Sequence, residues 1–263
     1  MLLAIDVGNT NIVFGCIEGR KILFTERLST DHNKTALEYA ITFKNVMELH
    51  AIVPSDINGA IIASVVPPVT SLIGKALEKI VGCTPMIVGP GLKTGLNIIM
   101  DNPAQVGADL IVGAVAGIDA YPCPLVLIDM GTATTICVID EKKRYIGGMI
   151  LPGIRVSLDS LTSRTSQLPR IGLDPPKRLI GKNTVECMKS GILYGNASCI
   201  DGMIDRIEEE LQQKATVVAT GGLAERIVPL CRHQVILDDE LLLKGLLLLY
   251  EKNHTTHEGN AGK

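Results

Sequence analysis

Apolar and polar positions at the start of the chain form a short, readable block. An apolar run, Leu2-Leu3-Ala4-Ile5, meets Asp6, a polar stretch from Gly8 to Asn11 follows, and apolar residues resume at Ile12-Val13-Phe14. The pattern predicts strand, tight turn, strand, with Asp6 carried to the strand tip and Gly8 letting the backbone swing back. The same block returns at a constant offset as Leu125-Val126-Leu127-Ile128-Asp129-Met130-Gly131-Thr132-Ala133-Thr134-Thr135. Asp6 superposes on Asp129 and Gly8 on Gly131. Two copies of one device point to a duplicated domain with a cleft between the halves.

The remaining pattern fills in around these blocks. A third strand is expected at Ile22–Leu28, a helix at Thr35–His50, and a buried strand at Gly59–Val66 that stops at Pro67-Pro68, where a ladder cannot continue. A helix then covers Val69–Val81, a strand Met86–Val88, and a glycine loop runs through Gly89, Gly91 and Gly95. Asn102-Pro103 reads as a helix cap with Pro in the first turn. The helix after it, Gly107–Gly117, is built of small residues suited to close backbone approach, and is expected to cross between the halves.

In the second half, strands are expected at Leu125–Asp129, Thr134–Ile139 and Tyr145–Leu151, then a helix at Ile154–Thr162. Ser166–Lys182 reads as a surface connection, and Asn183–Gln212 as a long helix. The end of the chain holds a strand at Val217–Ala219, the turn Thr220-Gly221-Gly222 with a helix behind it, and an apolar helix at Glu240–Tyr250. Each half is thus three antiparallel-type strands followed by alternating helices and strands, an α/β architecture with a mixed sheet per domain. The domains are expected at residues 1–117 and 118–253, with a frayed polar tail at 254–263.

Composition narrows the function classes. The 263 residues are 46% apolar without a Trp, as suits buried strands flanked by helices. A net charge of −3, with no basic stripe interleaved with aromatics, argues against nucleic acid as a partner. No apolar run approaches the roughly 18 residues of a membrane span. The seven cysteines show no C-x-x-C spacing, so neither a zinc site nor a disulfide framework is indicated. They are expected to be mostly buried thiols in a reducing cytoplasm.

Candidate chemistry concentrates on a few polar residues. A carboxylate beside a Gly/Asn/Thr turn suits a metal–nucleotide site, with backbone N–H groups and a hydroxyl toward phosphate oxygens. An ordinary hairpin turn can carry the same residues, and the duplication is what separates the two readings. Asp109 is the odd residue of its helix, read either as an N-cap or solvated side chain, or as a positioned carboxylate facing the cleft. Asn183 and Thr184 open the long helix, where dipole and N–H groups favour an anion. The Gly221-Gly222 pair lets a planar group lie on the backbone, or is a plain tight turn.

The two turns and Thr220-Gly221-Gly222 resemble the actin/Hsp70/sugar-kinase superfamily of nucleotide-binding folds. Within it the chain resembles type III pantothenate kinases over nearly its whole length. The likeness includes Ser64-Val65-Val66-Pro67-Pro68, Val88-Gly89-Pro90-Gly91, Lys93-Thr94-Gly95-Leu96, Asn102-Pro103, Val106-Gly107-Ala108-Asp109, Gly147-Gly148 with Pro152-Gly153, Leu168-Pro169, and Gly181-Lys182-Asn183-Thr184.

This resemblance implies duplicated actin-like (ribonuclease H-like) ATPase domains and ATP-dependent phosphorylation of pantothenate's primary hydroxyl, the first step of coenzyme A biosynthesis. It implies Asp109 as proton acceptor. Asp6, Val7, Gly8, Asn9, Thr10, Asn11, Ile12 and Val13, with Thr132, Gly221 and Gly222, would hold ATP, Asp6 also serving its Mg2+. Asp129 would bind a monovalent cation, potassium or ammonium. Met100, Gly107, Ala108, Asp109, Leu110 and Thr184 would contact the acceptor. A cytoplasmic homodimer is implied as well. Leu110 and Met100 depart from the family pattern, which has Arg and Tyr there, so the acceptor pocket is expected to be more apolar. The alternatives are a kinase for a different hydroxyl acceptor, or a catalytically silent nucleotide-binding regulatory homologue.

Overall fold

A computed structural model describes residues 1–258, with side chains to residue 254. The chain forms two compact units. Among the described residues, the first comprises 1–96, 101–119 and 240–258, and the second 97–100 and 120–239.

The first unit opens with β1 (Leu2–Val7), β2 (Asn11–Glu18) and β3 (Lys21–Ser29), an antiparallel meander. Helix α1 (Ala36–Leu49) follows, started by a capping box in which Thr35 and Glu38 satisfy each other's backbone N–H. Strand β4 (Gly59–Ser64) then runs parallel to β1, α2 (Pro67–Val81) follows, and β5 (Met86–Ile87) adds in parallel to β4. The sheet order is β3-β2-β1-β4-β5. Pro67 and Pro68 do more than end the strand: they are the first residues of α2, where the missing N–H is not needed.

Two apolar layers cover this sheet, and the period of two along β1 sorts its residues between them. Leu3, Ile5 and Val7 face the layer containing Tyr39, Phe43, Ile73 and Leu77 of α1 and α2. Leu2 and Ala4 face the layer containing Val112 and Leu243, Leu246 and Leu249. Asp6 continues this second series, so it lies on the face covered by the helices bearing Val112 and Leu243.

The second unit receives the two-residue strand β6 (Asn97–Ile98). Helix α3 (Ala108–Ala120) starts in the first unit. Strands β7 (Leu125–Met130), β8 (Ala133–Ile139) and β9 (Arg144–Pro152) then repeat the meander. Helices α4 (Ile154–Ser163) and α5 (Thr184–Leu211), strand β10 (Thr216–Thr220), the single turn α6 (Ala224–Ile227) and strand β11 (Ile236–Leu237) complete it. The order β11-β10-β7-β8-β9-β6 is the first sheet's order with one strand added at the β9 edge. Val126, Ile128 and Met130 pack into the core formed with α4, α5 and α6. Asp129 lies on the opposite face of β7.

Helix α7 (Leu241–Glu258) closes the chain. A linear division at residue 117 therefore does not describe the contacts, because α7 folds back on β1 of the first unit. Gly245 lets α7 approach the backbone of Val112 in α3. The small residues of α3 thus serve close packing against α7 inside the first unit. The end of α7 is pinned: Asn253 accepts from Lys93 N at 2.9 Å and donates to Lys93 O at 3.0 Å. Residues 254–258, expected to fray, continue the helix, while 259–263 lie outside the described residues.

Three other expectations change. Asn102 flanks only a 3-10 turn, Pro103–Gln105, and makes no side-chain cap bond, so α3 begins later than the proline suggested. The edge strands β6 and β11 carry no recognisable pattern at two residues each. All seven cysteines are free, but Cys187 and Cys199 are exposed on α5, and only Cys16 and Cys137 are fully buried. Among the described residues, no helix is long and apolar enough to cross a membrane.

Candidate active site

In the first unit, the β1–β2 elbow closes with Gly8 N donating to Asn11 O at 2.9 Å. Thr30, just beyond β3, braces it from outside. Its hydroxyl donates to Gly8 O at 2.7 Å and its N–H to Thr10 O at 2.9 Å. Asn9, Thr10 and Asn11 are exposed on this braced loop, and Ile12 is buried behind it. Backbone groups are thereby held in place before any ligand arrives.

The tip of β4 joins this elbow. Val7 and Ser64 are register partners, and Val65 N donates to Val7 O at 3.1 Å. The side chain of Val65 reaches to the start of α3. Its Cγ1 lies 3.8 Å from where a Cβ on Gly107 would sit, and Asp109 Oδ1 abuts the same point. The first elbow, Val65, Gly107 and Asp109 therefore form one contiguous group.

Asp109 is the second residue of α3 and not its cap. It is half-buried, and its Oδ1 accepts from Leu110 N at 2.8 Å. Burial raises its carboxyl above the usual carboxylate value, while the N–H groups of Leu110 and Asp109 itself oppose the rise. A carboxylate with raised basicity at a helix start, next to a braced turn, is equipped to accept a proton.

Gly107 is required by this arrangement. A methyl there would meet the Asp109 carboxylate, which can rotate away, and not rigid backbone. Gly107→Ala should accordingly cut turnover about 10-fold or more by displacing the carboxylate, with the melting temperature nearly unchanged. Steady-state kinetics beside a thermal melt checks this, and unaltered turnover would contradict it.

In the second unit, the β7–β8 elbow closes with Gly131 N donating to Ala133 O at 3.0 Å. Thr220 at the end of β10 is the register partner of Asp129. The next residue, Gly221, has φ +95 and lies with its Cα face against Asp129 Oδ1 and the backbone of Met130. Thr132 O accepts from Gly153 N at 3.1 Å, tying the elbow to the start of α4. Asp129, Thr132 and Gly221 are thus one group. The opening of α5 is partly self-satisfied, since Asn183 Oδ1 takes the N–H of Glu186 at 3.0 Å, and Thr184 stands exposed beside it. Met100 lies near Gly147, its sulfur 3.9 Å from where a Cβ on that glycine would sit. Leu110 is half-buried on the first turn of α3.

The donor set limits what metal could be held. No cluster of three or more His, Cys, Asp or Glu suited to a metal occurs among the described residues. A divalent ion here would take few protein ligands and draw the rest from phosphates and water, which fits Mg2+ carried in with a nucleotide at Asp6.

Sequence reasoning singled out Asp6, Asp109, Asp129 and both elbows. It assigned no role to Val65 or Thr30. Val65 stands within the Ser64–Pro68 motif of the family likeness but sits in an apolar run that reads as strand core, and Thr30 is an ordinary loop threonine.

The repeated strand order, the duplicated elbows and the helical layers define a duplicated actin-like (ribonuclease H-like) α/β fold, two mixed sheets flanked by helices. Among solved structures the chain is similar to a Campylobacter jejuni protein described as a Baf family transcriptional activator. The TM-score is 0.61 at 18% identity, covering 96% of this chain and 99% of that one. It is also similar to the activator of 2-hydroxyisocaproyl-CoA dehydratase from Clostridium difficile, solved with bound ADPNP (TM-score 0.59, 14% identity, 100% and 98% covered). These likenesses speak for the fold alone. The signature of type III pantothenate kinases matches residues 2–206. A type III pantothenate kinase of Bacillus cytotoxicus is 47% identical over 253 residues, 96% of this chain and 97% of the relative. The chain belongs to the type III pantothenate kinase family.

Proposed function

We propose that this protein transfers the γ-phosphoryl group of ATP to the primary hydroxyl of pantothenate, with Asp109 as the general base. Family membership supports the substrate. The observation that carries the chemistry is the contiguity of the first elbow, Val65, Gly107 and the half-buried Asp109. In the transfer, a bond forms between the hydroxyl oxygen and the γ-phosphorus, and the bond from that phosphorus to the β–γ bridging oxygen breaks. The hydroxyl proton passes to Asp109. Such transfers depend on positioning and charge neutralisation more than on covalent help.

The residues divide the work accordingly. Gly8, Asn9, Thr10 and Asn11 present backbone and side-chain donors to phosphate oxygens, with Val7, Ile12 and Val13 holding the turn's shape. Asp6 would hold the Mg2+ that accompanies ATP, and Asp129 a monovalent cation, potassium or ammonium. Bound cations there supply neutralisation of phosphate charge. Thr132 contacts ATP, and the Gly221-Gly222 backbone provides a flat surface for the base. Gly107, Ala108, Leu110, Met100 and Thr184 contact the acceptor. By the same family likeness the working form is a cytoplasmic homodimer, which sedimentation of the purified protein would check.

A coupled ADP-release assay tests the reading. ADP release is expected with pantothenate and near background without an acceptor. Release confined to neutral alcohols would reject pantothenate as the substrate, and no release with any acceptor would reject kinase activity.

A further inference from the structure

Val65 stands at the turn from β4 into α2 with an apolar side chain 36% exposed. Its backbone is pinned. Val65 N donates to Val7 O at 3.1 Å, Val66 N donates to Ser64 Oγ at 3.0 Å, and the Thr70 hydroxyl lies 2.6 Å from Ser64 Oγ. Pro67 then begins α2 directly, which restricts Val66. An open apolar surface on so constrained a backbone is poorly explained by core packing, because it is not in the core. It is better explained by what lies beside it. The Val65 methyl and the Asp109 carboxylate border the same point, the place a Cβ on Gly107 would take.

The acceptor's chemistry asks for such a neighbour. The primary hydroxyl of pantothenate sits on a carbon joined to a quaternary carbon bearing two methyl groups. The methyls lie three bonds from the hydroxyl oxygen, so a base that touches this hydroxyl has them among its next neighbours, where a side chain bordering the base can meet them at the ordinary carbon–carbon contact distance of about 4 Å. A purely polar surround would leave them facing hydrogen-bonding groups they cannot satisfy. We infer that Val65 is the apolar wall against which the acceptor's paired methyl groups pack, making it a specificity-determining residue for acceptors branched next to the reacting hydroxyl. This inference rests on the acceptor reading above. It adds a residue whose role is discrimination and not proton transfer.

The test compares pantothenate with an analogue lacking both methyl groups, in the wild-type protein and in Val65→Ala and Val65→Ile. Val65→Ala should lower kcat/KM for pantothenate about 10-fold while changing it less than about 2-fold for the analogue, since apolar contacts of this size discriminate by such factors. Val65→Ile, which enlarges the wall, should also narrow the preference, by crowding the methyls of pantothenate and filling the space the analogue leaves. KM for ATP should stay at its wild-type value in both variants. An equal fall for both acceptors in both variants would overturn the role of Val65 while leaving the kinase reading in place. If the wild-type protein released no ADP with either acceptor, the kinase reading and this inference would fail together.

Discussion

Asp109→Asn is expected to lower turnover with pantothenate roughly 100-fold or more, about 2.7 kcal/mol of barrier, while nucleotide binding survives. The amide keeps the shape of the side chain but cannot take the hydroxyl proton. Its pH dependence gives a second reading. A general base works deprotonated and burial raises the Asp109 carboxyl, so on the proposed role the acid limb of kcat/KM should lie above the range of an ordinary carboxylate and vanish from the residual activity of the variant.

Stability should respond in the opposite sense. A carboxyl raised in the folded state holds its proton more tightly there than in the unfolded chain. Its contribution to stability is therefore present at low pH and is lost as pH rises from the ordinary carboxylate value through the raised one. At neutral pH the half-buried carboxylate is a burden. Asp109→Asn should then melt no lower than wild type at pH 7. A variant that lost activity and stability together would point to a structural role.

The second large effect is expected in the other unit. Gly221→Ala places a methyl at φ +95, 2.7 Å from Met130 N and 2.8 Å from Met130 C, and against the Asp129 carboxylate. The obstacle is backbone, so rotation of a side chain cannot relieve it. Strain in the left-handed region and forced repacking together come to roughly 2–5 kcal/mol, a fall in melting temperature of roughly 5–15 °C. Nucleotide affinity should drop as well, because the β7 tip must move. Gly89→Ala is the control, since a Cβ there meets nothing within 4 Å and should leave both quantities unchanged. Equal melts for the two variants would show that the β10 turn does not press on the Asp129 elbow.

Much of this site was legible because its signals are local. The elbows appear as apolar run, carboxylate and glycine turn, and the second copy removes the ambiguity of the first. Asp109 stands out as the one acid in the Gly107–Gly117 stretch of small and apolar residues. What was not legible depends on contacts distant in sequence. The apolar first half of helix α7 carries no sign that it returns to β1. The pairing of Thr220 with Asp129, which brings the glycine turn to the second elbow, is a register fact that no residue pattern encodes. Strands β6 and β11 are too short for a period to show. Val65 falls within the Ser64–Pro68 motif, yet that motif gives it no role: an apolar residue at the end of an apolar strand is expected to be buried, and only the structure shows it exposed and bordering the same point as the Asp109 carboxylate.

Phosphorus NMR of the products tests the central claim most directly. Wild-type protein given ATP and pantothenate should yield one new phosphomonoester signal split by two protons, as phosphorylation of a CH2–OH group requires, and Asp109→Asn should show almost none over the same interval. An ester formed at equal rates by both proteins, or inorganic phosphate in place of the ester, would contradict the account.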